Sequence, residues 1–291
     1  MPALVENYLR NLPLNVSQLR EFLEELKAIF RKEPNILKIS RNPCIFVGDT
    51  HGDLETSKRI VEEFLADKKT ILIFLGDYVD RGAYQLENVL FLFSLKKDYP
   101  ERVILLRGNH EEEEMNKSYG FHEILYMKYM GKSDEVFQQF QQTFAQLPLC
   151  VLTWNQVLGL HGGIPISLET GVISLKEIEQ LKRGATHFEQ FDPITAQLLW
   201  NDPNEIPGAN PSPRGVGFIF GPDKFEEFIS FNKIDLVIRS HEVFPMGYKT
   251  FFGNKLISIF SARNYIYNQQ IQAKIVKLDI EGNVALMGFA D

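Results

Sequence analysis

The sequence predicts an α/β protein whose core is two β-sheets packed face to face. Three observations predict it. Short apolar, β-branched runs recur from residue 44 onward, each followed by glycine and polar residues. Helical stretches alternate with the first of these runs, and the later segments are mostly strands. Runs that are apolar at consecutive positions suit strands buried on both faces.

Residues 1–40 read as a helical cap packed on the rest of the chain. Leu19, Phe22, Leu23, Leu26, Ile29 and Phe30 recur at helical spacing, Ser17 is a suitable N-cap, and residues 21–32 supply the charged face. Residues 41–291 then form one domain. Its strands are expected at 44–47, 71–75, 103–106, 157–160, 236–238 and 256–260, and its helices include 54–65, 86–95 and 122–129. Residues 274–280 and 283–289 flank Glu281-Gly282 and read as a hairpin. The Pro-, Gly- and Asn-rich stretch 202–217 reads as a long loop, and loops of that length in a compact domain are often functional.

The chain has 291 residues, 44% hydrophobic and 24% charged, an ordinary balance for a globular protein with a sizeable core. Its net charge of −7 repels nucleic acid on average, so a phosphate site would need local positive charge from arginine or metal. No apolar run approaches the roughly 18 residues of a membrane span. The start, Met-Pro-Ala-Leu-Val-Glu, resembles neither a secretory signal nor a myristoylation site. Cys44 and Cys150 each sit among apolar residues and read as small core residues, which makes the cytoplasm the expected compartment.

The chemistry lies at the strand ends. Five of them end in polar segments suited to a metal site: Gly48-Asp49-Thr50-His51-Gly52-Asp53, Gly76-Asp77-Tyr78-Val79-Asp80-Arg81-Gly82, Arg107-Gly108-Asn109-His110-Glu111, His161-Gly162-Gly163 and Arg239-Ser240-His241-Glu242. Ligands of open α/β sheets gather beyond the carboxyl ends of strands, where carboxylates, imidazoles and an amide carbonyl could make a two-cation site. Asp49 and His51 are two apart and share a face if extended, whereas Asp77 and Asp80 point differently across a turn. Four of the six histidines fall at these ends, a concentration that scattered structural histidines would not give. His122 and His187 have no such setting and read as structural. The acidic run 111–114 reads as a helix start, where negative charge suits the dipole.

At these residues the chain resembles the PPP family of metal-dependent serine/threonine protein phosphatases. Gly-Asp-x-His-Gly, Gly-Asp-x-Val-Asp-Arg-Gly and Gly-Asn-His-Glu match at 48–52, 76–82 and 108–111. His161-Gly162-Gly163, residues 198–203 around Trp200, Arg214-Gly215-Val216-Gly217 and residues 261–265 match further blocks in family order. The first three motifs mark the wider metallophosphoesterase class, and the later ones narrow it to phosphoprotein phosphatases.

The resemblance implies a pair of packed mixed β-sheets flanked by helices, the calcineurin-like metallophosphoesterase fold, with residues 41–291 as the catalytic domain. It implies two divalent metal ions per subunit, manganese in the first place and iron or zinc as alternatives. Asp49 and His51 would bind one ion, Asp77 would bridge both, and Asn109, His161 and His241 would bind the second. Arg81 and Arg214 would grip the phosphate, with Asn109 and Tyr265 beside it, and planar guanidinium groups suit that task. His110 would be the general acid and Asp80 its orienting carboxylate. Two close cations can activate a bridging water for in-line attack, while the serine alkoxide that leaves needs a proton. The partners expected are phosphoprotein substrates, with no nucleic acid and no membrane; the resemblance says nothing of regulatory subunits.

The chain also departs from the family pattern. Thr50 and Asp53 stand where eukaryotic members usually have Ile and Gln, Arg263 replaces a usual Pro, and Ile266 replaces a common Cys in the inhibitor-contacting loop. Asp53 is expected to add negative charge near the metals and alter metal preference. The chain stops soon after its last strand, so a catalytic subunit acting alone, of prokaryotic type, is expected. Two rivals fit less well. Dinucleoside polyphosphate hydrolases share the first three motifs but generally lack the Trp200 and Arg214 blocks. A non-catalytic phosphoprotein-binding module would be expected to have lost a ligand or the acid.

Overall fold

The computed structural model describes residues 2–12, 15–167, 169, 171–263, 265 and 271–288. The chain opens with α1 (Pro2–Arg10) and α2 (Val16–Lys32). The cap of α2 is Asn15 and not Ser17: the Asn15 side chain accepts from the Ser17 and Gln18 N–H groups, which helix geometry leaves without partners. The apolar stripe of α2 is buried as its spacing predicts, through Leu19, Phe22, Leu23, Leu26 and Phe30. The helical reading of residues 1–40 runs too far, because Ile36–Ile39 is a strand, β1.

Next come β2 (Cys44–Val47), α3 (Leu54–Phe64), β3 (Ile71–Phe74), α4 (Gln85–Asp98) and β4 (Val103–Leu105), with the three strands parallel. Three helices come after β4: α5 (Glu113–Tyr119), α6 (Phe121–Tyr129) and α7 (Ser133–Phe144). The second half contains β5 (Cys150–Thr153), β6 (Val157–Leu160), α8 (Leu175–Glu179), α9 (Pro193–Trp200), β7 (Asp202–Pro203), β8 (Ala209–Pro211), β9 (Phe218–Phe220) and α10 (Pro222–Asn232). It ends with β10 (Leu236–Arg239), β11 (Tyr248–Phe251), β12 (Leu256–Ile259), β13 (Lys274–Leu278) and β14 (Val284–Gly288). The hairpin predicted near the end is β13–β14, with Gly282 at φ +94° in its turn; Phe289, read as part of it, lies outside the described residues.

Two mixed sheets form the core, in the orders β1-β5-β6-β10-β12-β11 and β14-β13-β2-β3-β4. Alternation along each strand sends side chains to both faces. Cys44 and Phe46 point into the layer between the sheets, with Ile73, Val151, Ile238 and Ile259. Ile45 and Val47 face the helical layer instead, with Leu23, Ile60, Leu90 and Phe140. That is why β2 reads as a continuous apolar run. The outer face of the other sheet buries Leu158, Leu160 and Val237 under Leu198, Phe225 and Phe228. Each such side chain fully removed from water is worth about 1.5–3 kcal/mol. Cys44 and Cys150 are buried and unpaired, as their apolar surroundings predict.

Stretch 202–217 is not a structureless loop. It carries β7 and β8, which pair with β9 in a small three-stranded sheet. Because β2, β3 and β4 run parallel, their carboxyl ends share one edge. A parallel bridge between Asp49 and Phe260 brings the carboxyl end of β12, in the other sheet, to the same place.

Candidate active site

The turns after these strands are sharply bent. Among the described residues ten non-glycine residues have positive φ, and five of them are candidate site residues: His51 (40°), Asp77 (56°), Asp80 (67°), Arg81 (72°) and His241 (74°). L-residues rarely adopt that conformation, and it persists where the surroundings enforce it, typically at functional sites. Glycines make room for the crowding. A Cβ on Gly108 would lie 2.2 Å from Asp77 Oδ1, and one on Gly82 would lie 2.0 Å from the His51 carbonyl oxygen.

Glu111, read from sequence as part of a helix start, does something else. Its buried carboxylate accepts from the backbone N–H groups of Asp77 (2.8 Å), Tyr78 (2.9 Å) and Gly108 (2.9 Å), tying the turns after β3 and β4 together. The helix itself begins at Glu113, with the Glu112 side chain as its N-cap accepting from Met115 N–H at 2.8 Å. No local sequence pattern signals the Glu111 clamp, because two of its partners lie more than 30 residues away.

The floor of the site is built from groups whose lone pairs face one another. The Nδ1–H of His51 donates to the Val79 carbonyl (2.8 Å), since a carbonyl oxygen can only accept. Its Nε2 lone pair then faces Asp77 Oδ2 at 3.5 Å and Asp49 Oδ2 at 3.8 Å. Likewise His161 Nδ1–H donates to the Leu75 carbonyl (3.1 Å), which leaves the Nε2 lone pair 2.9 Å from Asn109 Oδ1 and 3.4 Å from Asp77 Oδ1. His241 Nδ1 lies 2.8 Å from the same Asn109 oxygen. Asp49 Oδ1 accepts from His241 N–H (3.1 Å) and the Ser240 hydroxyl, while Asp49 Oδ2 has no hydrogen-bond partner among the described residues.

Such a cluster is repulsive by itself and attractive around cations. Burial, then the neighbouring Asp49 and Glu111 charges, hold Asp77 well above the ordinary carboxylate range, and burial pushes Asp49 up to about 6. Burial likewise keeps His51, His161 and His241 far below the imidazole range, so they are neutral and able to ligate. The donor set of imidazole, carboxylate and amide oxygen suits borderline divalent ions. Two groups, His51–Asp77–His110 and Asp77–His161–His241, bring one potential ligand atom per residue within 4.8 Å of one another, and Asp77 belongs to both. The residues therefore fit a pair of metal ions.

His110 is set apart by its partner. Its Nδ1 lies 2.7 Å from Asp80 Oδ2, a carboxylate and not a backbone carbonyl. Asp80 also accepts from Asn116 Nδ2 (2.9 Å) and Phe121 N–H (3.0 Å), three donors that favour its ionised form against the burial that pushes it up to about 7. Burial first, then the Arg81 and Arg214 charges, push His110 down to about 3, so both arginines lie near its ring. A phosphate dianion between these groups would offset the two positive charges and restore the imidazole's proton affinity.

The rim is cationic and aromatic. The exposed Arg81 guanidinium lies 3.7 Å from the centroid of Tyr119, whose ring is 5.2 Å from His110. Arg214 Nε donates to Asp202 Oδ2 at 2.7 Å, and buried Arg239 holds the other Asp202 oxygen at 3.0 Å. The Tyr265 ring sits 5.0 Å from His51 and 4.9 Å from Phe260. Every candidate residue thus falls in one neighbourhood. Those that sequence reasoning missed are Glu111, Ser240, Asn116, Tyr119 and Asp202, most of which act on a partner distant in sequence. His187, 2.8 Å from Glu113, and His122, packed on Phe137, stay outside it.

The departures from the family pattern have structural consequences. Thr50 Oγ1 accepts from Asn88 Nδ2 at 3.1 Å. The Asp53 carboxylate caps α3 through Thr56 N–H (3.2 Å) and the Thr56 hydroxyl (2.8 Å), and accepts Arg263 N–H (2.7 Å). Ile266 lies outside the described residues.

Comparison with known proteins agrees with this geometry. The family model of calcineurin-like phosphoesterases matches residues 43–245. A protein of Encephalitozoon cuniculi named "Probable serine/threonine-protein phosphatase" is 37% identical over 257 residues, 88% of this chain, and the chain spans about half (54%) of that relative's length. A solved serine/threonine phosphatase from Saccharomyces cerevisiae, described as similar to human phosphatase PP5, superposes with a TM-score of 0.85 at 31% identity, covering 94% of this chain and 90% of that one. A cold-active protein-tyrosine phosphatase of a Shewanella species shares the fold at 15% identity and a TM-score of 0.62, over 89% of this chain and 84% of its own. With the family model matched over residues 43–245, which include the whole ligand cluster, this chain belongs to the calcineurin-like phosphoesterases.

Proposed function

We propose that the protein hydrolyses phosphoserine and phosphothreonine on protein substrates, with two divalent metal ions, manganese in the first place. One arrangement carries the reading: a lone-pair cluster around Asp77 beside an imidazole, His110, whose partner is a carboxylate. In this reading Asp49 and His51 would hold one ion, Asn109, His161 and His241 would hold the other, and Asp77, whose carboxylate faces both His51 and His161, would serve both. When bound, the ions supply Lewis acidity, offsetting phosphoryl charge and lowering the pKa of the attacking water.

The chain's own residues do the rest. Arg81 and Arg214 donate to the phosphoryl oxygens from the rim, and the Asn109 amide NH2 can add a further donor. Tyr119 and Asp202 hold the two guanidinium groups in place. His110 gives its proton to the departing serine or threonine oxygen, and Asp80 keeps the ring oriented through Nδ1. Tyr265 closes the site beside His51. Names of relatives support the substrate class: the yeast structure is called a serine/threonine phosphatase, and so is the Encephalitozoon cuniculi protein. Two unpaired buried cysteines support a cytoplasmic setting. Among the described residues no helix is long and apolar enough to cross a membrane.

The test is turnover by purified protein supplied with manganese, against phosphoserine peptides, phosphotyrosine peptides and a dinucleoside tetraphosphate. Phosphoserine peptides should be preferred, and thorough chelation should abolish activity. Preference for the tetraphosphate, or full activity after verified metal depletion, would overturn the reading.

A further inference from the structure

Two of the departures from the family pattern meet at one hydrogen bond. Asp53, where family members usually have Gln, accepts at Oδ2 from the backbone N–H of Arg263, 2.7 Å away, where they usually have Pro. Proline has no N–H, so this bond exists only because residue 263 is not proline. The bond joins two segments that both reach the site. Asp53 stands two residues after His51, at the start of α3, and Arg263 stands two residues before Tyr265, in the segment after β12. Its far end is the ring pair of Tyr265 and His51, 5.0 Å apart.

We propose that Asp53 is a positioning residue: its carboxylate straps the Tyr265 segment to the head of α3 and so holds the aromatic ring over His51. Three features make the strap effective. The carboxylate is buried and fixed in place by two bonds to Thr56. A hydrogen bond to a charged acceptor is stronger than a neutral one. The bond lies two residues before Tyr265, closer to it than the neighbouring anchor, Ser261 N–H to the Asp49 carbonyl at 3.2 Å, which lies four residues before it.

Two variants separate the strap from the helix cap. Asp53→Ser keeps an N-capping oxygen for α3 but is too short to reach residue 263, and Arg263→Pro removes the donor while leaving Asp53 on Thr56. Hydrogen exchange needs neither metal nor substrate. In Asp53→Ser the Arg263 amide should exchange about ten- to hundred-fold faster than in the wild type. Unchanged exchange would overturn the proposal.

The kinetic arm rests on the phosphatase reading above. Each variant should raise KM for a phosphoserine peptide by about three- to tenfold with kcat within about twofold, because the strap orders the site's mouth and not the reacting atoms. In a Tyr265→Ala background Asp53→Ser should add almost nothing, since both changes disable one device. An undiminished effect of Asp53→Ser in that background would reduce Asp53 to a helix cap. If the wild type turned over no phosphoester, the functional reading would fall, and the exchange of the Arg263 amide would still decide the strap.

Discussion

His51 and His110 are buried imidazoles with ring centroids 4.7 Å apart, yet their chemistry is set by what stands behind each. A backbone carbonyl behind His51 fixes a neutral tautomer with its lone pair forward, the form of a ligand. In the proposed reading the carboxylate behind His110 would stabilise an imidazolium once phosphate is bound, the form of an acid. His110→Asn should therefore retain both metal ions. It should lose about 10²–10⁴-fold on phosphoserine peptides and clearly less on nitrophenyl phosphate, whose leaving group needs no proton. Equal losses on both substrates, read from kcat/KM, would return His110 to the metal site. The two oxygens of Asp77 face different imidazoles, so Asp77→Asn should weaken both ions, whereas Asp49→Asn should mainly weaken one; metal analysis after dialysis distinguishes them.

At the level of elements, the site depends on turns that are tied across strands. Glu111 receives three backbone N–H groups from two turns, and truncating it leaves three buried donors without partners. Glu111→Ala should cost about 3–5 kcal/mol, near the upper end for a single substitution, measured by urea unfolding of the metal-free protein. A loss below about 1 kcal/mol would mean water replaces the carboxylate freely. The same cross-strand character decided what the sequence could reveal. Strands β2, β3, β4, β6, β10 and β12 were legible because burial on both faces makes them continuous apolar runs. The half-exposed edge strand β11 and the first strand, β1, carry a weaker pattern, and β7 and β8 are short and contain proline. Asp49, Asp77 and the four strand-end histidines were legible as unusual residue types at strand ends. Glu111 and Ser240 were not, since one is an acid in an acidic run and the other a serine before histidine until their distant partners are known.

For the whole molecule, the floor of the site ties stability to pH, and its two kinds of group pull in opposite directions. Burial holds Asp49 at about 6 against an ordinary 3.8 and holds Asp77 higher than its ordinary range. A carboxyl raised on folding gives stability that is complete below its unfolded pKa and lost as pH rises through the folded value, so Asp49 loses its share between about 4 and 6. The depressed histidines His51, His161 and His241 do the reverse: their share is complete above 6.5 and lost as pH falls below it. The metal-free protein thus lacks a pH at which both kinds are fully satisfied. Divalent ions need ionised carboxylates and neutral imidazoles, so at acid pH they must first displace the protons that Asp49 and Asp77 retain. At about 100 times Kd each site adds about 2.7 kcal/mol. For a domain of this size two filled sites correspond to a Tm gain of about 10 °C at pH 7.5. At pH 5.5 the gain should be less than about half of that, because proton displacement weakens the affinity. Melting the protein with manganese and with chelator at both pH values measures the difference directly. Equal gains at the two pH values would mean that the carboxylates are already ionised in the metal-free fold, and that burial does not control the charge of this site.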